Sequence, residues 1–220
     1  MRRAPALTRG YARHILDLDT PHGRARAHVH PVDSAIGALV LGHGAGGGIE
    51  SPDLVGASEA ARSAGLSVAL VEQPYRVAGR RSPAPTGQLD SAWIAVVSQL
   101  CERAFGGLPI LTGGRSLGAR VACRTAAQTD SVAVVCLAFP LHPPGRPDRS
   151  RLTELDDVDV PTLVVQGESD PFGTPPNGPN RTVVRVRGTH SLASSATVAE
   201  AVSGWLATLT PTLTAGANRS

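Results

Sequence analysis

Lysine is absent: all 21 basic residues of the chain are arginine. The bias reads first as the codon signature of a GC-rich genome and only second as chemistry. A formal net charge of +3, spread over 220 residues, does not by itself point to nucleic acid. Aromatic residues make up only 3% of the chain, so a core must be built from Val, Leu, Ile and Ala. No apolar run reaches the roughly 18 residues that a membrane-spanning helix needs. Met1-Arg2-Arg3-Ala4-Pro5 carries charge without an apolar stretch behind it. No secretory signal, no membrane partner and a cytoplasmic, soluble protein are therefore expected. Cysteine is scarce: Cys101, Cys123 and Cys136 are odd in number, lack metal-type spacing and sit in apolar segments. They read as buried, reduced thiols. His43, His142 and His190 also lack ligand spacing, so neither a metal nor another cofactor is expected. The oligomeric state stays open.

What is present is a globular composition, 41% hydrophobic and 18% charged. It is long enough for one domain with a substantial core, over about residues 11–209, between flexible ends at 1–10 and 210–220. Ala25, Ala27 and Val29 alternate with Arg24, Arg26 and His28, after a Thr20-Pro21-His22-Gly23 turn. This predicts an antiparallel hairpin with one wet face at a sheet edge. Short, mostly apolar runs follow at 36–41, 66–71, 109–112, 132–138, 161–166 and 182–186. They read as strands, those at 36–41, 66–71 and 132–138 as buried ones. Helical spacing falls between them, near 52–64, 88–105, 117–129, 151–155 and 196–209, with a long Pro-, Gly- and Arg-rich loop at 72–87. The alternation predicts an α/β fold, a mostly parallel sheet with helices on both faces. Sites in such sheets lie beyond the carboxyl ends of the strands.

The chain is organised around Gly114-Arg115-Ser116-Leu117-Gly118, a G-x-S-x-G pattern between a strand and a helix. It places a serine hydroxyl on a sharp elbow at the carboxyl edge of the sheet. Serine is a poor nucleophile near neutrality and needs a histidine base, itself oriented by an acid. Asp170 stands just past the strand ending at Gln166, and His190 just past the strand ending at Val186. The order Ser116, Asp170, His190 is that of the α/β-hydrolase scaffold. The glycine-rich stretch Gly42-His43-Gly44-Ala45-Gly46-Gly47-Gly48 follows the first buried strand. Its glycines are expected to let the backbone aim N–H groups at the site, with Ala45 and Leu117 as the oxyanion-binding pair. His43 is expected to brace that loop.

Rival readings accompany these residues. Asp170 precedes Pro171 and could simply start a turn. Glu168 is an alternative acid, and His142 an alternative base. Gly42, Gly44 and Gly47, with Glu72 ending the next strand, form a literal dinucleotide-binding pattern. That reading leaves Ser116, Asp170 and His190 unexplained. Arg76, Arg80 and Arg81, Arg115, and Arg146, Arg149 and Arg151 cluster where the sheet edge should open. They are either a solvated surface or guanidinium forks for an anionic substrate or an acidic partner. Arg115 is the best single candidate for substrate binding, with Arg76 beside it.

With those residues in view the chain resembles the α/β-hydrolases. More narrowly, it resembles the small hydrolase-like family of testis-expressed protein thirty and KAT8 regulatory NSL complex subunit three. The resemblance rests on Gly42 to Gly47, Gly113 to Arg120, Phe139 to Gly145 and Val165 to Gly173, and spans about residues 25–208. It is looser with dienelactone hydrolases, whose nucleophile is usually cysteine where Ser116 stands here. The resemblance implies an eight-stranded hydrolase sheet without a large cap domain. The expected activity is a serine hydrolase cleaving a small ester or thioester through Ser116, His190 and Asp170. The alternative is a non-catalytic binding or scaffold protein with a vestigial triad, marked by a blocked pocket or a displaced His190.

Overall fold

A computed structural model describes residues 13–217. Its strands are β1 (His14–Thr20), β2 (Gly23–His30), β3 (Gly37–Gly42), β4 (Leu66–Glu72), β5 (Ile110–Arg115), β6 (Ala133–Leu137), β7 (Thr162–Gly167) and β8 (Arg181–Val186). The helices are α1 (Pro52–Ser63), α2 (Pro74–Val77), α3 (Thr86–Arg103), α4 (Leu117–Thr125), α5 (Leu152–Asp156) and α6 (Ser195–Ala217). The eight strands form one sheet in the order β1-β2-β4-β3-β5-β6-β7-β8. β1 and β2 pair antiparallel at one edge, as does β2 with β4, and every other pairing is parallel. The described residues carry no large cap over this sheet, and the expected fold class is the one observed.

Why these runs become strands is plain in β3. Leu39 and Leu41 face α1 and α6, while Ala38 and Val40 face α3. Every β3 residue is buried, so an uninterrupted apolar run is required rather than an alternating one. β6 repeats the arrangement. Ala133, Val135 and Leu137 join the α1–α6 side, and Val134 and Cys136 join α4 and α5. In β2 only Ala25, Ala27 and Val29 are buried, which gives the expected wet face.

The order of the strands positions the site. From β3 the chain crosses through α1 to β4 on one side, then through α3 to β5 on the other. The direction of winding reverses between β3 and β5, and a crevice opens at the carboxyl ends of two strands that diverge in this way. The loop after β3 holds Gly44 to Gly48, and the turn after β5 holds Ser116.

Three local expectations change. The 72–87 loop contains the short helix α2, started by Pro74 in the first helical turn, and α3 begins at Thr86. α4 stops at Thr125, short of 129. α6 runs through Pro211 to Ala217 instead of ending near Leu209. Leu213 is buried in the same core as Val202 and Leu206, and that burial offsets the backbone hydrogen bond Pro211 cannot donate. Of the ends expected to be flexible, 210–217 is instead helical, and 1–10 and 218–220 lie outside the described residues.

Candidate active site

Ser116 adopts φ 51° and ψ −104°, a conformation few side chains other than glycine accept. Close packing enforces it. A Cβ on Gly114 or on Gly118 would run into the carbonyl oxygen of Gly42, so the elbow lies directly against the end of β3. The Ser116 N–H donates to the Leu137 carbonyl at 2.8 Å, tying the turn to β6. The Ser116 hydroxyl is thereby lifted clear of the sheet edge at the start of α4.

His190 lies in the turn after β8, and its Nε2 is 2.9 Å from Ser116 Oγ. Its Nδ1 is 2.9 Å from Asp170 Oδ2. The Asp170 carboxylate is fully buried. Its Oδ2 also accepts from Gln166 Nε2 at 2.7 Å, and its Oδ1 from the Phe172 N–H at 2.8 Å. Asp170 thus makes the turn contact through Oδ1 and reaches His190 through Oδ2. Phe172 then lays its ring 4.2 Å from the His190 imidazole, centroid to centroid. Of the rivals, Glu168 is exposed, and His142 Nδ1 turns to the Pro143 carbonyl at 3.0 Å.

A cavity of about 350 Å³ opens over Ser116, lined in part by Ala45, Leu117, Phe172 and His190. Among the described residues the N–H groups of Ala45 and Leu117 donate to no carbonyl or side chain, so both are free to bind an oxyanion. The loop is held on the far side of Ala45, where the Tyr75 hydroxyl donates to the Ala45 carbonyl at 3.0 Å. Burial pushes the Tyr75 hydroxyl up to about 12, against a weaker opposing effect of Arg76, so it stays a neutral donor. His43 braces the same loop. Its Nδ1 donates to the Gly44 carbonyl at 2.8 Å, and its Nε2 accepts the Gln73 N–H at 3.1 Å. Burial pushes the His43 imidazole below its ordinary value, outweighing the Gly44 hydrogen bond, and Arg76 pushes the same way as burial.

The glycine-rich loop departs from expectation. Only Gly44 is crowded: a Cβ there would meet Arg115 Nη1 at 2.8 Å. Cβ atoms on Gly46, Gly47 and Gly48 would enter open space, and none of the three has positive φ. Steric need therefore explains one glycine of the four. The dinucleotide pattern also loses its acid, since Glu72 Oε2 lies 2.9 Å from His28 Nε2 on the neighbouring edge strand.

The arginine expectations divide. Arg76 sits in α2 and does not line the Ser116 cavity, because the turn of that helix sends Tyr75 toward the Ala45 loop instead. Arg115 does line it, but its guanidinium is already engaged. Nε lies 2.8 Å from Oδ2 of the fully buried Asp53, and Nη2 donates to the His190 carbonyl at 3.1 Å. Sequence reasoning missed Gln166, Tyr75 and Asp53. The available signals were a glutamine near the end of a wholly apolar strand and an aspartate in the first turn of a buried helix.

The model of the alpha/beta hydrolase domain family matches residues 35–193. The chain belongs to that family. Among solved structures it is similar to XC6422 from Xanthomonas campestris, described as a serine hydrolase without a lid. The two are 21% identical, with 94% of each chain covered and a TM-score of 0.65. It is similar to a dienelactone hydrolase from Anabaena variabilis at 20% identity, covering 90% of this chain and 97% of that one, with a TM-score of 0.70. It is also similar to Est1E from Butyrivibrio proteoclasticus at 16% identity, covering 88% and 98%, with a TM-score of 0.70. At these identities the likeness is one of fold. No curated protein matches the sequence. Among the described residues no helix is long and apolar enough to cross a membrane.

Proposed function

We propose that the chain is a serine hydrolase that cleaves a small ester or thioester through an acyl-enzyme on Ser116. The observation that carries this is the continuous line from Ser116 Oγ through His190 to Asp170, 2.9 Å at each step, opening into a small cavity. His190 Nε2 takes the hydroxyl proton as Oγ attacks the acyl carbon, then returns it to the departing alcohol or thiol. Asp170 fixes the ring so that Nδ1 carries its own proton and Nε2 faces the serine. The Ala45 and Leu117 N–H groups meet the tetrahedral oxyanion, where loss of one such donor costs about 10²–10³ in rate. Water activated by His190 then releases the acid.

A vestigial site would have a filled pocket or a His190 turned away. The open cavity and the 2.9 Å contact favour the active reading. Within the α/β-hydrolases we place the chain beside testis-expressed protein thirty and its relatives, on the motifs at Gly113–Arg120 and Phe139–Gly145.

Labelling with a fluorophosphonate probe tests the proposal. Wild type is expected to label rapidly, Ser116→Ala not at all and His190→Ala far more slowly. A folded wild type that stays unlabelled while a control hydrolase reacts would overturn it.

A further inference from the structure

Three arginines line the Ser116 cavity, Arg115, Arg120 and Arg151, and no aspartate or glutamate does. Two of the three are neutralised from outside the cavity. Arg115 faces Asp53, and Arg120 makes a two-pronged pair with Glu154, its Nε donating to Oε2 at 2.8 Å. Glu154 is shared further with Arg124 at 3.4 Å. Arg151 is left over. Its Nη1 donates to the Pro140 carbonyl at 3.1 Å, and among the described residues it has no acidic partner and its Nε and Nη2 have none of any kind.

Arg151 is also held in place. Its backbone N–H donates to the Leu141 carbonyl at 2.7 Å, so main chain and side chain together clip the ends of the 139–151 loop. A guanidinium fixed at one corner, with its remaining edge open, has little rotamer freedom left to lose on binding. Burial first, and then Arg120, push its pKa below the ordinary arginine value, with Glu154 opposing and Arg124 adding to the effect. The wall is therefore partly dehydrated and carries an uncompensated positive charge.

We infer that Arg151 binds an anionic group of the substrate, and that the ester or thioester taken by this site carries a carboxylate in its acyl or its alcohol portion. The inference rests on the hydrolase reading of the same cavity. A planar carboxylate suits the free guanidinium edge, which offers two donors side by side. A cavity of about 350 Å³, near the lower end of ligand pockets at roughly 300–1,000 Å³, suits a short diacid half-ester or an ester of a small hydroxy or phenolic acid.

The test separates binding from turnover. In the Ser116→Ala protein, equilibrium binding of the mono-4-nitroanilide of glutaric acid is compared with that of its neutral primary-amide counterpart. The anionic compound is expected to bind about ten- to a hundredfold more tightly. Arg151→Gln in the same background is expected to erase the difference, and Arg151→Lys to restore part of it. Equal affinity within this pair and within its alcohol-side equivalent, 4-acetamidobenzoate against 4-acetamidobenzamide, would overturn the inference, as would a preference that survives Arg151→Gln. Turnover by the protein with Ser116 intact then compares 4-nitrophenyl glutarate with its primary-amide counterpart, and 4-acetoxybenzoate with 4-acetoxybenzamide. Preference for the first anion places the carboxylate on the acyl side, and for the second on the alcohol side. Selective binding without any turnover would overturn the hydrolase reading and leave the anion site standing.

Discussion

Arg115 Nη2 donates to the backbone carbonyl of His190 at 3.1 Å. The residue just before Ser116 thus holds the loop that carries His190. The same guanidinium reaches Asp53 in the first turn of α1, so three segments distant in sequence meet at one side chain. Burial pushes the Asp53 carboxyl up, while Ser51 and then Arg115 pull it down. Arg115→Gln is expected to strand that buried carboxylate and cost about 3–5 kcal/mol. Adding Asp53→Asn should recover much of the stability, whereas the probe-labelling rate should stay low because the His190 loop has lost its anchor. Urea melts of the two single variants and the double variant check the first part, and labelling rates the second. A double variant no more stable than Arg115→Gln alone would show that the pair is not the source of the loss.

Gln166 uses its amide nitrogen on Asp170 Oδ2 at 2.7 Å, the Gly173 carbonyl at 2.9 Å and the Phe139 carbonyl at 3.2 Å. It is the buried peg on which the Asp170 turn hangs. Gln166→Leu keeps the volume and removes the donor, which should cost about 1–3 kcal/mol. Asp170 should then fix the imidazole less well, so labelling of Ser116 should slow in a protein that still melts cooperatively. Unchanged labelling would mean that Phe172 N–H alone suffices to hold the carboxylate.

The glycines differ in what they can tolerate. Gly118→Ala puts a methyl group into the Gly42 carbonyl, backbone against backbone, and is expected to cost more than about 4 kcal/mol or to prevent folding. Gly47→Ala meets open space and should be neutral within about 0.5 kcal/mol. Gly44→Ala falls between them, since it displaces the Arg115 guanidinium and should slow labelling more than it lowers stability. Thermal melts together with labelling rates of the three variants decide the ranking.

Much of this was readable in the chain because the sheet is covered on both faces. Continuous apolar runs such as 132–138 leave few other folds, and a parallel sheet gathers its carboxyl ends in one place. Ser116, Asp170 and His190 could therefore be proposed as neighbours without any knowledge of distance. Pairing was not readable. Nothing in the sequence distinguishes Arg115, neutralised by Asp53, from Arg151, which is left open, because ion pairs between distant segments have no local pattern. α2 was hidden because Pro74 serves as a helix start in a stretch whose prolines otherwise signal loop. α6 passed Pro211 because burial of Leu213, a tertiary term, outweighs a local penalty.

Acid should weaken the fold through His43. Its folded-state value is depressed below the ordinary 6.5 by burial, so the unfolded chain binds a proton that the native loop refuses. Stability attributable to this group is present above about pH 6.5 and is lost as pH falls below it toward the depressed native value. His30, depressed mainly by its own burial, adds in the same direction. Denaturant midpoints should fall between pH 7.5 and 5.5. Imidazole nitrogen shifts of the native protein should place the His43 titration below the ordinary 6.5, with the proton of the neutral ring on Nδ1. A His43 that titrates near 6.5 in the native state would remove this contribution.

The cysteines report on the rigidity of the elbow. Cys123 on α4 and Cys136 on β6 have their Sγ atoms 3.4 Å apart, both buried and both free thiols. The Cys123 hydrogen bond, then burial, push Cys136 well above its ordinary value. Burial chiefly, with Asp130 adding, raises Cys101 at the end of α3, yet that side chain remains partly accessible. Iodoacetamide should therefore modify Cys101 slowly in the native protein and reach Cys123 and Cys136 only when α4 separates from β6. That separation would also carry off Leu117 and Ser116, so the alkylation rate of the buried pair measures how often the Ser116 turn opens. Peptide mapping by mass spectrometry should find the pair modified no faster than global unfolding allows. Faster modification would mean that α4 opens on its own and takes the Ser116 turn with it.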